Sequence, residues 1–176
     1  MSQEQRELEF DINAMKEQYV DHEFDEVEFV VEADEMVAFA QACGETAPHF
    51  VDPNADGFRA VPNYASRYHG RRALPTGFPV NMRASFDAGK AVEVGGSIHA
   101  GDRLTARSHI HDIYEKTGRS GGMLFIVHRM EFTNQNDIKV STVDWRMVVR
   151  LDMVREKKAK AGNDGKSTGQ DESGEN

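Results

Sequence analysis

The stretch GDRLTARSHIHDIYEKTGRSGGMLFIVHRMEFTNQNDIKVSTVDWRMVVRL, residues 101–151, decides the fold. At its start Leu104, Ala106, Ser108 and Ile110 alternate with Arg103, Thr105, Arg107 and His109, the period of two expected of a half-buried strand. The pattern recurs over 123–132, where Leu124, Ile126, Met130 and Phe132 share one face. It recurs again over 140–151, with Val143, Trp145, Met147, Val149 and Leu151 set against Asp144, Arg146 and Arg150. Turn residues fall at 118–122 and 134–137, breaks short enough for hairpins. The expectation is three antiparallel neighbours in one sheet.

Upstream, Val27, Phe29 and Val31 alternate with Glu26, Glu28 and Val30 in a fourth strand starting at Phe24. Residues 34–43 then place Met36, Phe39, Ala40 and Cys43 at i, i+3, i+4 and i+7. That spacing predicts an amphipathic helix closed by Gly44, with Cys43 on its apolar face. From 45 to 76 four prolines interrupt the chain and no period persists, so this stretch is read as a long, partly ordered excursion. Residues 78–88 predict a second, buried helix, since Pro79 suits a first turn and Phe78, Met82 and Phe86 recur at four-residue steps. The first seventeen residues are helix-prone, with Leu8, Phe10, Ile12 and Met15 among charges. Residues 156–176 contain no aromatic or branched aliphatic side chain and cannot bury enough surface to order themselves. The organisation read is a helical extension over 1–22, an α+β domain over 23–153 and a disordered tail over 154–176.

A chain of 176 residues suits one domain. No apolar run approaches the roughly 20 residues of a membrane span, and the N-terminus has neither the basic nor the apolar region of a secretory signal. The single Cys43 supports no internal disulfide framework. These features point to the cytoplasm. Residues 1–35 carry 13 acidic against 2 basic side chains, which argues against a nucleic-acid footprint. The body that follows is mildly basic and compatible with a small phosphorylated ligand.

The element order, together with FAQACGETAPHFVD (39–52) and GDRLTARSHIHDIYEKTGRSGGMLFIVHRMEFTNQ (101–135), resembles the MaoC-type family of acyl-thioester hydratases and dehydratases, in particular its FAS1-like dehydratase half domains. The resemblance covers roughly residues 24–151. It implies a hot-dog fold, an antiparallel sheet wrapped around a central helix. In the family's catalytic members an Asp follows the Gly and a His lies five positions after the Asp. Hydration needs one group to deprotonate water and another to deliver a proton to the α carbon, so two titratable side chains must converge. A backbone amide at a helix N-terminus commonly polarises the thioester carbonyl.

In this chain Glu45 stands at the Asp position, Ala47 where an Asn is usual, Pro48 in place and Phe50 where the His belongs. His49 falls one residue early. The resemblance therefore implies a non-catalytic, pocket-forming subunit beside a second hot-dog subunit that carries the Asp and His. The substrate would be a thioester of coenzyme A or a carrier protein, of fatty-acid or steroid type, with no further cofactor. Two alternatives stay open: an acyl-CoA-binding or scaffold protein without turnover, and a homodimeric hydratase or thioesterase using Glu45 and His49 as a shifted catalytic dyad. Phe50, Pro75 and Phe78 are the expected substrate contacts. Arg119, beside the amides of the GRSGG turn, is the expected phosphate contact ahead of Arg67, Arg71, Arg72 and Lys116, which read equally well as solvated surface charge.

Other chemistries fare worse. His109 and His111 share a strand face and His99 is near in sequence, but no carboxylate or Cys stands at helpful spacing, so no metal site is expected. Ser97 and Ser120 lack a Gly-x-Ser-x-Gly context. Gly95, Gly96 and Gly101 open no helix and make no dinucleotide loop.

Overall fold

A computed structural model describes residues 11–68, 74–80, 85–118 and 121–151. In chain order its elements are α1 (Ile12–Tyr19), β1 (Glu23–Val30), α2 (Ala33–Ala42), the single turn α3 (Pro48–Val51), a 3-10 turn (Tyr64–Arg67), β2 (Ser85–Val94), β3 (Arg103–Gly118), β4 (Gly121–Thr133) and β5 (Lys139–Arg150). The strands form one antiparallel sheet in the order β1-β3-β4-β5-β2.

The alternation read from the sequence becomes cross-strand pairing on a buried face. Ala106 lies opposite Phe132, Ser108 opposite Met130, and Met130 opposite Val143. A register shift between Ile110 and Asp112 breaks the period on β3. The extra residue lets Ile113 return to the buried side that Ile110 already occupies.

Two apolar clusters cover this face. In the first, Met36 and Ala40, one helical turn apart on α2, join Tyr64, Leu104, Phe132 and Val143. Gly44, at φ 79°, ends the helix in the left-handed conformation that a side chain would resist. Cys43, expected on the apolar face, is instead exposed. As the C-cap it has left the helical stripe, and its N–H is spent on the last-turn carbonyls. In the second cluster α1 contributes Met15 and Tyr19, which meet Ile110, Ile113, Leu124 and Met147. Asp11 caps that helix, accepting from the amides of Asn13 at 2.9 Å and Ala14 at 3.1 Å.

The helix expected over 78–88 does not form as read. Residues 81–84 lie outside the described residues, but 78–80 are not helical and residues from Ser85 onward belong to β2. Pairing with β5 satisfies this segment's backbone, from Ser85 opposite Val149 to Val94 opposite Ser141. Gly89, at φ 90°, does not continue a helix, and Phe86, assigned to its buried stripe, is 57% exposed. Four-residue spacing of apolar residues was therefore insufficient against an available strand partner. The sequence reading of the tail from 154 and of the first ten residues also falls outside the described residues.

Between the two clusters the inner face of β4 carries His128, only 2% exposed, with Phe24 and Trp145 against its ring. Neither ring nitrogen has a hydrogen-bond partner among the described residues. Burial pushes this imidazole down to about 4. An unfolded chain takes up the proton near pH 6.5 while the folded one refuses it, so stability is full above pH 6.5 and declines as the pH falls toward 4. The loss from this group is up to about 3 kcal/mol. Denaturant unfolding of the protein and of His128→Phe between pH 7 and 4.5 checks this. The variant is expected to lose the acid-dependent component, and identical slopes would show that His128 is not its source.

Candidate functional site

The segment following α2 builds the site. Gly44 reverses the chain, and the Glu45 N–H returns to the Ala40 carbonyl at 3.0 Å. The Glu45 carboxylate then accepts from the amides of Thr46 at 2.8 Å and Ala47 at 2.9 Å. The Ala47 amide first, then that of Thr46, holds this carboxyl below the usual carboxylate range, with a smaller pull from His49. Pro48 opens α3, which carries His49 and Phe50 side by side with ring centroids 4.1 Å apart. No hydrogen bond joins Glu45 to His49 among the described residues; the carboxylate serves the turn.

Phe50 packs against the first cluster. The Arg59 guanidinium lies over its ring, 5.2 Å from the centroid. Arg59 is brought there because its N–H bonds the His49 carbonyl at 3.0 Å, while Ala60 N–H bonds the Ile98 carbonyl at 2.9 Å. These bonds fold the proline-rich excursion onto the loop between β2 and β3. A cavity of about 160 Å³ results, lined by Phe50, Arg59, Val61, Pro62, Val94 and Ser97 among others. Asp102, 7% exposed, anchors the far end of the loop, accepting from His99 N–H at 2.8 Å and Gln135 Nε2 at 3.0 Å.

The expected site residues do not all meet. Glu45, His49 and Phe50 form one neighbourhood. Pro75 and Phe78 form a separate turn, with the Phe78 N–H bonded to the Pro75 carbonyl at 3.0 Å. Phe78 packs on Tyr19 of α1 in the second cluster, with centroids 4.9 Å apart. Arg119, Arg71 and Arg72 lie outside the described residues. Arg67 is committed to Glu35 at 2.5 Å and the Tyr64 hydroxyl at 2.7 Å, and Lys116 stands over the rings of Tyr114 and Phe125. Arg59 was missed by the sequence reading. Its nine-residue separation from Phe50 follows no helical or strand period, and only the fold of the excursion superposes them.

A match to the family described as the FAS1-like, dehydratase domain region spans residues 18–143. The chain belongs to that family. Solved structures agree in fold. A MaoC-like dehydratase from Rhodospirillum rubrum superposes with a TM-score of 0.56 at 18% identity, over 77% of this chain and 95% of that one. A chain of the HadBC (3R-hydroxyacyl-ACP dehydratase) complex from Mycobacterium tuberculosis gives 0.53 at 20%, over 72% and 92%. One of the ChsH1-ChsH2 complex from the same organism gives 0.59 at 13%, over 79% and 88%. No curated protein sequence matches significantly. The fold is thus the hot-dog fold expected from the sequence, and the family is one of hydratases and dehydratases.

The loop lining the cavity depends on a close approach at Gly95. A Cβ there would lie 2.4 Å from the Lys139 carbonyl oxygen, a backbone atom that cannot swing aside, whereas at Gly96 the nearest atom is the flexible Ile138 Cγ2 at 3.0 Å. Gly95→Ala is expected to cost about 1–3 kcal/mol in denaturant unfolding and Gly96→Ala distinctly less. Equal costs would mean that the contact with β5 does not set the loop.

Proposed function

We propose that this chain is the pocket-forming, non-catalytic half of a two-subunit acyl-thioester hydratase or dehydratase, working beside a second hot-dog chain that supplies the Asp and His. The observation that carries the reading is Phe50. It occupies the place in the segment where the resemblance expects the catalytic His, it lines the cavity, and a guanidinium covers its ring. A benzyl ring can neither take a proton from water nor give one to the α carbon.

Glu45 is a poor substitute. Its oxygen is engaged by two backbone amides, and a carboxyl held below its ordinary range is a weaker base. The cavity favours the same division of labour. At about 160 Å³ it falls short of the several hundred Å³ that a drug-sized ligand fills. Its wall includes Val94, 55% exposed on the outer strand β2, which a second subunit could cover to complete it. Two of the similar structures are themselves named as complexes. The substrate in this reading is a thioester of coenzyme A or a carrier protein, and no further cofactor is needed. The proposed compartment is the cytoplasm; no helix among the described residues is long and apolar enough to cross a membrane.

The test assays the purified chain, a hot-dog partner from the same genome bearing Gly-Asp with a His five residues on, and their mixture on a crotonyl-type thioester. Turnover is expected to require the mixture, with His49→Ala in this chain leaving kcat within about twofold. Turnover by the lone chain that His49→Ala abolishes would replace this reading with a self-sufficient Glu45/His49 enzyme. Acyl-thioester binding without turnover in any mixture would replace it with a non-turnover binding protein.

A further inference from the structure

The outward histidines of β3 have no carboxylate at helpful spacing in the linear sequence, and the fold supplies one from 88 positions upstream of His109. Asp21, in the turn between α1 and β1, reaches the outer side of β3, where one candidate ligand atom from each of Asp21, His109 and His111 lies within 4.8 Å of the others. The His109 Nε2 to Asp21 Oδ1 separation is 3.8 Å, and the two imidazoles stand edge to face with centroids 6.2 Å apart. We propose that Asp21, His109 and His111 form a binding site for one first-row divalent cation of the zinc type, joining the α1–β1 turn to β3.

Three features preform the site. Asp21 is held at φ 60°, a left-handed conformation that Asp tolerates better than most residues, by its N–H bond to the Ile110 carbonyl at 2.8 Å. Next to it, Val20 forms an isolated bridge with the same Ile110. The register shift between Ile110 and Asp112 falls within the span of the two histidines, so local strand geometry, rather than simple alternation, sets their relative placement.

The donor chemistry suits zinc or its neighbours, for which two imidazoles and a carboxylate are ordinary ligands with bonds of about 2.0–2.2 Å. Tetrahedral ligands at such bond lengths lie about 3.5 Å apart. The observed separations therefore need only a modest side-chain closure, and the Asp21 side chain, 74% exposed, is free enough to make it. The surrounding charge permits a cation. Glu131 and Asp21 act on His109 against Arg129 and the neighbouring His111, and Glu23 stands opposite His109 in register. Arg129 is itself neutralised by Asp144 through contacts of 2.6 and 2.8 Å. Three protein ligands leave at least one position for water or for a group on another molecule. The site lies on the opposite face of the sheet from the buried clusters and does not rest on the proposed hydratase role.

The experiment uses the full chain without a purification tag and titrates Zn²⁺ against a chromophoric chelator, with thermal unfolding in parallel. One zinc per chain is expected, together with a melting temperature that rises with zinc because the metal favours the folded state. His109→Ala and His111→Ala should each weaken binding at least about tenfold, since even the loss of an outer-shell partner commonly does so. Asp21→Asn guards against misfolding, because Asn adopts the same left-handed turn. It should weaken binding while leaving the metal-free melt unchanged. His99→Ala, at a histidine near Asp102 rather than Asp21, should bind as the unaltered chain does. No zinc uptake, or uptake equal in His109→Ala and His111→Ala to that of the unaltered chain, would overturn the site.

Discussion

The antiparallel ladder joining β3, β4 and β5 is the constraint on which the rest of the molecule depends. Strands of 16, 13 and 12 residues pair along nearly their whole length, and their inner faces present two apolar regions, with His128 between them, that must be covered. Both helical elements of appreciable length among the described residues answer that demand, α2 over one half through Met36 and Ala40, α1 over the other through Met15 and Tyr19. The outer strands add the frame on which the loops hang. β1 leads into α2 and so to the segment bearing Glu45 and Phe50, while β2 leads into the loop that closes the cavity against Arg59.

Within this frame a position has more influence on chemistry than the identity of the residue placed there. The chain has seven histidines, and the three on the described strands meet two different fates. His128 faces inward, loses water and is driven to its neutral form. His109 and His111 face outward, where Asp21 meets them. His49 is a fourth case, leaning on Phe50 with no hydrogen bond to Glu45. An imidazole is a base, a ligand or a buried ring according to what the sheet puts beside it.

The same holds for the carboxylate and the guanidinium of the candidate site. Glu45 has the chemical group that a hydratase would need, yet its position one residue past a left-handed Gly44 commits it to capping amides. Arg59 has no obvious partner in sequence, yet the backbone bond to His49 aligns it with Phe50. The result is an aromatic ring under a cation, an arrangement that shapes the wall of the cavity.

The sequence alone determined the three long strands, the α2 helix and the Gly44 stop, because each is written in local periodicity and in a residue type with a local steric reason. Its resemblance also set Glu45 and Phe50 at the positions where the family's catalytic members carry Asp and His. It did not reveal β2, because apolar residues at four-residue steps from Phe78 mimic a helix unless the pairing with β5 is known. It could not separate Pro75 and Phe78 from Phe50, since a proline-rich excursion carries no period from which its path can be computed. Only the tertiary structure decided that Arg59 covers Phe50, that His128 is dry, and that Asp21 stands beside His109. Each of these is a contact between segments far apart in the chain or without a common period, fixed by backbone hydrogen bonds and sheet register that no local pattern encodes.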